Sequence, residues 1–327
     1  MENKKDMEAA EKLIKGRTQL FEQIQKVIVG QAKVVDEILA AFFAKGHVLL
    51  VGVPGLAKTL LVSTISEILD LKFSRIQFTP DLMPSDIVGY EILQENPAAG
   101  GREIKFIQGP VFANIVLADE INRTPPKTQS ALLQAMQEYR VTVSGRTLPL
   151  QLPFMVLATQ NPIEQEGTYP LPEAQLDRFF MQVNIGYPDE NEEKQIVSRT
   201  TGDYSANLRK ILRAEDIVSL QNIVRKVPVS DSTLDYAVKI ARLSRPGTGS
   251  IDFVNKWILW GAGPRASQSL ILAAKARCLM SGRFAVSKED IMETALPVLR
   301  HRIVLNFQAE AEGISPDHII KMLLEKI

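Results

Sequence analysis

Five short apolar runs divide the first half of the chain, at residues 47–51, 73–78, 114–118, 154–159 and 180–185. Unbroken apolar runs of this length, bounded by Gly, Pro and polar residues, are the pattern of strands buried on both faces. Between them the period changes. Leu61, Val62, Ile65, Ile68 and Leu69 recur at helical spacing, and the residues before about Lys45 read as helices broken near Val29-Gly30-Gln31. Strands alternating with helices predict an α/β fold, a parallel five-stranded sheet with helices on both faces. From Asp189 onward the chain keeps a helical period without convincing strands as far as Ile327. We therefore expect an α/β domain over 1–187 and an all-helical domain over 188–327. The join is Gly186-Tyr187-Pro188-Asp189, where Pro188 interrupts and Asp189 can cap the next helix.

Composition narrows the function classes. Lys plus Arg and Asp plus Glu number 38 each in 327 residues, so no global field favours nucleic acid or an anionic membrane. The one cysteine, Cys278, lies in an apolar helical stretch and reads as a core residue in a reducing compartment. A charged start without an apolar region behind it, and no window of membrane-spanning length, predict a soluble cytoplasmic protein. His47, His301 and His318 are scattered without metal-ligand spacing, which predicts structural or surface roles. Trp257 and Trp260 are expected three apart on one apolar helix, packing the core of the second domain.

The chemistry concentrates at three strand ends. Gly52-Val53-Pro54-Gly55-Leu56-Ala57-Lys58-Thr59 follows the first strand and, with Leu60, opens a helix. Such a loop cradles phosphate: backbone N–H groups point at the anion, Lys58 supplies charge and the Thr59 hydroxyl suits Mg²⁺. Ala57 stands where a glycine is expected. The third strand runs Val116-Leu117-Ala118 into Asp119-Glu120. Carboxylates there suit metal binding by Asp119 and activation of a water by Glu120. The fourth strand ends at Asn161, an uncharged hydrogen-bonding group at the same sheet edge. Arg178 precedes the fifth strand. Arg265 falls in the first turn of a later helix, where a cation opposes the helix dipole and calls for an anion.

Together these segments resemble the AAA+ ATPases over nearly the whole chain. The loop at Gly52 to Thr59 is similar to a Walker A element and Leu117-Ala118-Asp119-Glu120 to a Walker B element. By that resemblance Asn161 is the first sensor, Arg265 the second, Arg178 the arginine finger, and Ile28-Val29-Gly30-Gln31 the lining of the adenine pocket. The wording Gly-Val-Pro-Gly-Leu-Ala-Lys-Thr, Asp119-Glu120-Ile121-Asn122-Arg123-Thr124-Pro125-Pro126-Lys127-Thr128-Gln129 and Tyr169-Pro170-Leu171-Pro172-Glu173-Ala174-Gln175-Leu176-Asp177-Arg178-Phe179 resembles the MoxR family. Thr124 and Pro125 are expected to be the cap and first residue of a helix. An insert at about 81–110, which includes Gly100-Gly101, is similar to that of the branch shared with magnesium chelatase. A β-hairpin at about 139–150, around Ser144-Gly145, precedes the first sensor.

The resemblance implies a Mg²⁺-dependent ATPase that works as a homo-oligomeric ring, most simply a hexamer, with Arg178 acting on the neighbouring subunit's ATP. Arg265 is left open between its own and the neighbour's site. Implied clients are proteins with von Willebrand factor A domains, in complex maturation or metal-cofactor insertion. Arg123 and Lys127 are weaker candidates for contact with the adjacent subunit. Two other readings stand beside this one: a nucleic-acid motor, with Arg140 and Arg146 touching phosphates, and a nucleotide-gated scaffold with little turnover.

Overall fold

The computed structural model describes residues 4–96, 101–164, 167–204, 206–247 and 251–327; Gly100 of the expected insert lies outside them. Two helices, α1 (Lys4–Gln25) and α2 (Ala32–Phe43), precede β1 (Val48–Val51) and α3 (Lys58–Ile68). Then come β2 (Phe73–Gln77), α4 (Pro84–Val88), β3 (Gly89–Asn96), β4 (Gly101–Gln108) and β5 (Ile115–Asp119). Next are α5 (Pro126–Glu138), β6 (Arg140–Val143), β7 (Arg146–Pro149), β8 (Met155–Gln160), α6 (Glu173–Leu176) and β9 (Met181–Asn184). All five expected strands are present, none displaced by more than one residue at either end.

The central sheet is fully parallel in the order β2-β5-β8-β1-β9. Its side chains alternate between two cores. Val48, Leu50, Leu117 and Leu157 face a cluster with α2 and α3, whereas Leu49, Val116, Ala118, Val156 and Ala158 face Leu132, Leu133 and Met136 of α5. Both faces are apolar because both are covered. Two hairpins stand off this frame. β3 and β4 form the insert. β6 and β7 meet at Ser144 (φ 49°) and Gly145 (φ 78°), two left-handed residues whose twist suits a two-residue hairpin turn.

After β9 the chain is helical: α7 (Glu190–Thr200), α8 (Ala214–Lys226), α9 (Asp231–Leu243), α10 (Asp252–Trp257), α11 (Pro264–Met280), α12 (Lys288–Leu299), α13 (Phe307–Ala311) and α14 (Pro316–Lys326). Asp189 caps α7 by accepting from the N–H groups of Asn191 and Glu192. This region also holds a short antiparallel pair, β10 (Ile258–Trp260) with β11 (Val304–Leu305), absent from the sequence reading. The two tryptophans therefore do not share a helix. Trp257 ends α10 and donates its indole N–H to Glu312 (2.9 Å), while Trp260 on β10 is 71% exposed, so core packing is not its role. Helix α5 starts at Pro126 with Pro125 at its cap, one residue later than expected, and Thr124 is buried before it. Among the described residues no helix is long and apolar enough to cross a membrane.

His47 pins three elements together. Its Nδ1 accepts from the Val156 N–H (3.0 Å), and Nε2 donates to the Met136 carbonyl (2.9 Å). Burial pushes its pKa down to about 4, and burial also holds His301 well below the usual imidazole value. Glu37 is driven the other way, up to about 7, by burial that Arg300 and Lys33 only partly offset. As pH falls toward 5 the unfolded chain comes to hold nearly two imidazole protons that the native state refuses. The native state meanwhile keeps the Glu37 proton that the unfolded chain sheds. Stability should thus fall as pH drops, with a net slope near one proton, about 1.4 kcal/mol per pH unit. Glu37→Gln removes the opposing contribution and should bring that slope toward about 2.7 kcal/mol per pH unit, read from denaturant melts at pH 5, 6 and 7.

Candidate functional site

Strand register assembles the site. Val51 lies level with Gln160 across β1 and β8, and Gln77 level with Asp119 across β2 and β5. The loop after β1, the acids ending β5 and the residue after β8 therefore emerge side by side. Pro54, Gly55, Leu56, Ala57, Lys58, Thr59, Leu60, Asp119, Glu120 and Asn161 line one open cleft of about 440 Å³. Gly52 and Val53 contribute differently: the Lys58 ammonium donates to both of their carbonyls. Burial lowers the Lys58 pKa, against the opposing pull of Asp119 and Glu120.

The glycine demand at position 57 has a conformational cause. Ala57 precedes α3 with φ 54° and ψ 25°, in the left-handed region. An L-residue there costs about 1–2 kcal/mol, and alanine's single methyl is the least bulky side chain that can bear it. With Gly55 also left-handed (φ 85°), the loop turns twice before the first free N–H groups of α3. That concavity of N–H groups fits an anion.

The acids are held by Thr159, Arg75 and Gln77, which the sequence did not single out, and by Arg123, which it offered only for contact with an adjacent subunit. The Thr159 hydroxyl donates to Asp119 Oδ1 (2.7 Å) and accepts from the Glu120 N–H (2.8 Å). Arg75 on β2 donates through Nε (3.1 Å) and Nη2 (2.6 Å) to Asp119 Oδ2, and through Nη2 to Gln77 Oε1 (2.6 Å). Gln77 in turn donates to Glu120 Oε2 (3.2 Å), which also accepts from Arg123 (2.8 Å). Arg123 thus belongs to the acid cluster of its own chain. Its i, i+3 spacing from Glu120 was the one local signal available; Arg75 lies on a separate strand and left none. Arg75 is about half exposed (48%), so its pair with Asp119 is worth no more than about 1 kcal/mol.

Thr59 and Asp119 offer hard oxygen ligands, the donor set Mg²⁺ takes when phosphates and water complete its shell. Among the described residues no group of three or more His, Cys, Asp or Glu side chains is arranged to hold a metal. The segment expected to line the adenine pocket, Val29-Gly30-Gln31, is not among the residues lining that cleft. Gly30 (φ 67°) and Gln31 (φ 56°) are both left-handed, and a Cβ on Gly30 would lie 2.2 Å from the Glu192 carboxylate. The Gln31 Oε1 atom is buried without a hydrogen-bond partner among the described residues, an acceptor left for a donor such as an exocyclic amine.

Arg178 and Arg265 do not line this cleft. They meet instead in a second one, of about 370 Å³, with Asp177, Gln268 and Arg302. Arg265, near the start of α11, faces Asp177 Oδ2 at 3.4 Å, which supplies the anion its position requires. Arg178 donates to the Leu133 carbonyl (3.3 Å).

A parallel sheet in this order, with a phosphate loop after β1, acids at the end of β5 and a helical region beyond β9, defines an AAA+ ATPase fold. Residues 47–181 match the ATPase family associated with various cellular activities (AAA), and residues 254–323 match the AAA lid domain. The chain is similar to Chaperone MoxR1 of Mycobacterium tuberculosis, at 46% identity over 93% of this chain and 80% of that protein. It is similar to Protein MoxR of Methylorubrum extorquens at 29% identity, over 93% and 92% of the two chains. The crystal structure of a proposed ATPase from Cytophaga hutchinsonii superposes with a TM-score of 0.89 at 44% identity, covering 98% of each chain. The chain belongs to the MoxR family of AAA+ ATPases.

Thr159 supplies a direct check on the acid cluster. Thr159→Val keeps the shape but strands the Glu120 N–H and one Asp119 oxygen, and should cost about 1–3 kcal/mol. Thr159→Ser keeps the hydroxyl and should lose less than half of that in parallel urea melts.

Proposed function

We propose that this chain hydrolyses Mg²⁺-bound ATP in a homo-oligomeric ring, most simply a hexamer, and uses the cycle to remodel client proteins. The observation that carries the reading is the division of the machinery between two clefts. Lys58, Thr59, Asp119, Glu120 and Asn161 share one, whereas Arg178 and Arg265 share another. Each cleft is half of a site, and a neighbour's arginines complete it across a subunit interface. That Arg265 bonds Asp177 next to Arg178 favours its acting with Arg178 on the adjacent subunit's nucleotide.

In this mechanism the loop N–H groups and Lys58 bind the phosphates, and Gln31 accepts from the adenine amine. Thr59 and Asp119 would hold Mg²⁺, which would supply neutralisation of phosphate charge when bound. Glu120 takes the proton of the attacking water, and Asn161 orients that water or the terminal phosphate. Arg178 and Arg265 of the next subunit offset charge developing on the phosphoryl group. The segment 186–189 between sheet and lid is the proposed hinge. Leu93 (62% exposed) and Ile104 (61% exposed) on the β3–β4 hairpin suit an apolar client surface. The family resemblance directs the client reading toward von Willebrand factor A domains and metal-cofactor insertion, in the cytoplasm. Arg140, already paired with Glu138 at 3.0 Å, and the balanced net charge weigh against a nucleic-acid motor.

Steady-state ATPase activity against protein concentration tests the scheme. Activity should rise steeply with concentration; Glu120→Gln should lose about 100-fold or more, as removal of a general base does, and Arg178→Ala a similar factor, as removal of a charge-stabilising donor does. An equimolar mixture should regain part of it. Activity indifferent to concentration and to Arg178 would leave a self-contained nucleotide switch instead.

A further inference from the structure

The end of α12 grips the segment that carries Arg178. Three consecutive lid residues, Arg300, His301 and Arg302, each donate to main-chain carbonyls between Asp177 and Gln182. Arg300 Nη1 reaches the Gln182 carbonyl (3.3 Å) while Nε and Nη2 form a fork on Asp317 (3.0 Å each). His301 Nε2 donates to the Phe179 carbonyl (3.1 Å), and its Nδ1 is buried without a partner among the described residues. The ring is therefore the neutral Nε2–H tautomer, as its strongly lowered pKa requires.

Arg302 makes the central contact. Its side chain is only 2% exposed. Nε donates to Asp177 Oδ1 (2.8 Å); Nη2 to the carbonyls of Phe179 (2.6 Å) and Asp177 (3.4 Å) and to Ser269 Oγ (3.4 Å); Nη1 to the carbonyls of Phe180 (3.2 Å) and Val298. Every donor of the planar fork is used, a pattern that the three donors of a lysine ammonium cannot reproduce. The residues on both sides of Arg178 are thereby bound to the lid. The other carboxylate oxygen of Asp177 holds Arg265. A buried cation of this kind is a poor source of net stability, which leaves placement of the arginine pair as the reason for its geometry.

We propose that Arg302 is a positioning residue that ties the lid of one subunit to the arginines it presents to the next, so that lid rotation in one subunit moves Arg178 at its neighbour's ATP. This rests on the shared-site reading given above. It goes beyond it in making the lid, through Arg302, the part that sets the finger.

Complementation separates this from a structural role. Arg302→Lys is assayed alone and in equimolar mixtures with Glu120→Gln and with Arg178→Ala, beside the Arg178→Ala plus Glu120→Gln mixture. Nucleotide affinity is read with a fluorescent ATP analogue, and folding by thermal melt and sedimentation. Arg302→Lys should lower kcat about tenfold or more, leave the nucleotide Kd within twofold, recover activity with Glu120→Gln and recover none with Arg178→Ala. Recovery with Arg178→Ala, or none with Glu120→Gln, places the defect in the variant's own site and overturns the proposal, as does unchanged kcat. If Arg178→Ala alone is fully active, it is the shared-site reading that fails. Should Arg302→Lys not fold, Asp177→Asn is subjected to the same mixtures with the same expected grouping.

Discussion

Everything chemical in this molecule depends on one geometric constraint: five strands run parallel and in register, so that their carboxyl ends finish level. A parallel sheet must return each connection across a face, and those connections cover both faces with helices. The interior is then too apolar to host catalysis, and polar groups collect where strands stop. Gly52, Asp119 and Asn161, far apart in sequence, become neighbours because Val51 is level with Gln160, and Ala118, which precedes Asp119, is level with Ala158. A one-residue slip of β8 would turn Asn161 away and place its buried side chains on the opposite face.

Gln31, Ala57 and Glu120, none of them glycine, all adopt left-handed backbone, each immediately before a helix or a helical turn. Outside glycine such conformations are uncommon and persist only where surrounding structure over-determines them. Here the determinants are visible: Thr159 holds the Glu120 N–H, and Lys58 binds carbonyls of the loop that precedes it. The chain accepts local cost in order to aim donors and carboxylates outward from a rigid frame.

How much of this was legible beforehand follows from the range of each interaction. The strands announced themselves because burial on both faces demands continuous apolar runs. The phosphate loop and the acids were legible because their chemistry is written in adjacent residues. Arg75, Gln77 and Thr159 were silent because their partners are cross-strand, and nothing local distinguishes them from ordinary polar positions. Asp177 and Arg302 lie 125 residues apart and leave no trace in any window. The β10–β11 pair escaped because two- and three-residue strands have no measurable period. Position 57 was noticed as an irregularity, but the reason glycine is usual there, a left-handed φ, is a property of the folded turn.

The placement of the tryptophans has a practical side. The chain contains two, and both lie beyond β9, at the end of α10 and on β10. Excitation of indole therefore illuminates the lid and leaves the sheet dark. Trp257, tethered to Glu312 and lying beneath the Lys256 ammonium at 4.8 Å, differs in surroundings from the solvent-facing Trp260. The protein carries its own optical gauge of the helical half, with two emitters in unlike environments and no label to attach.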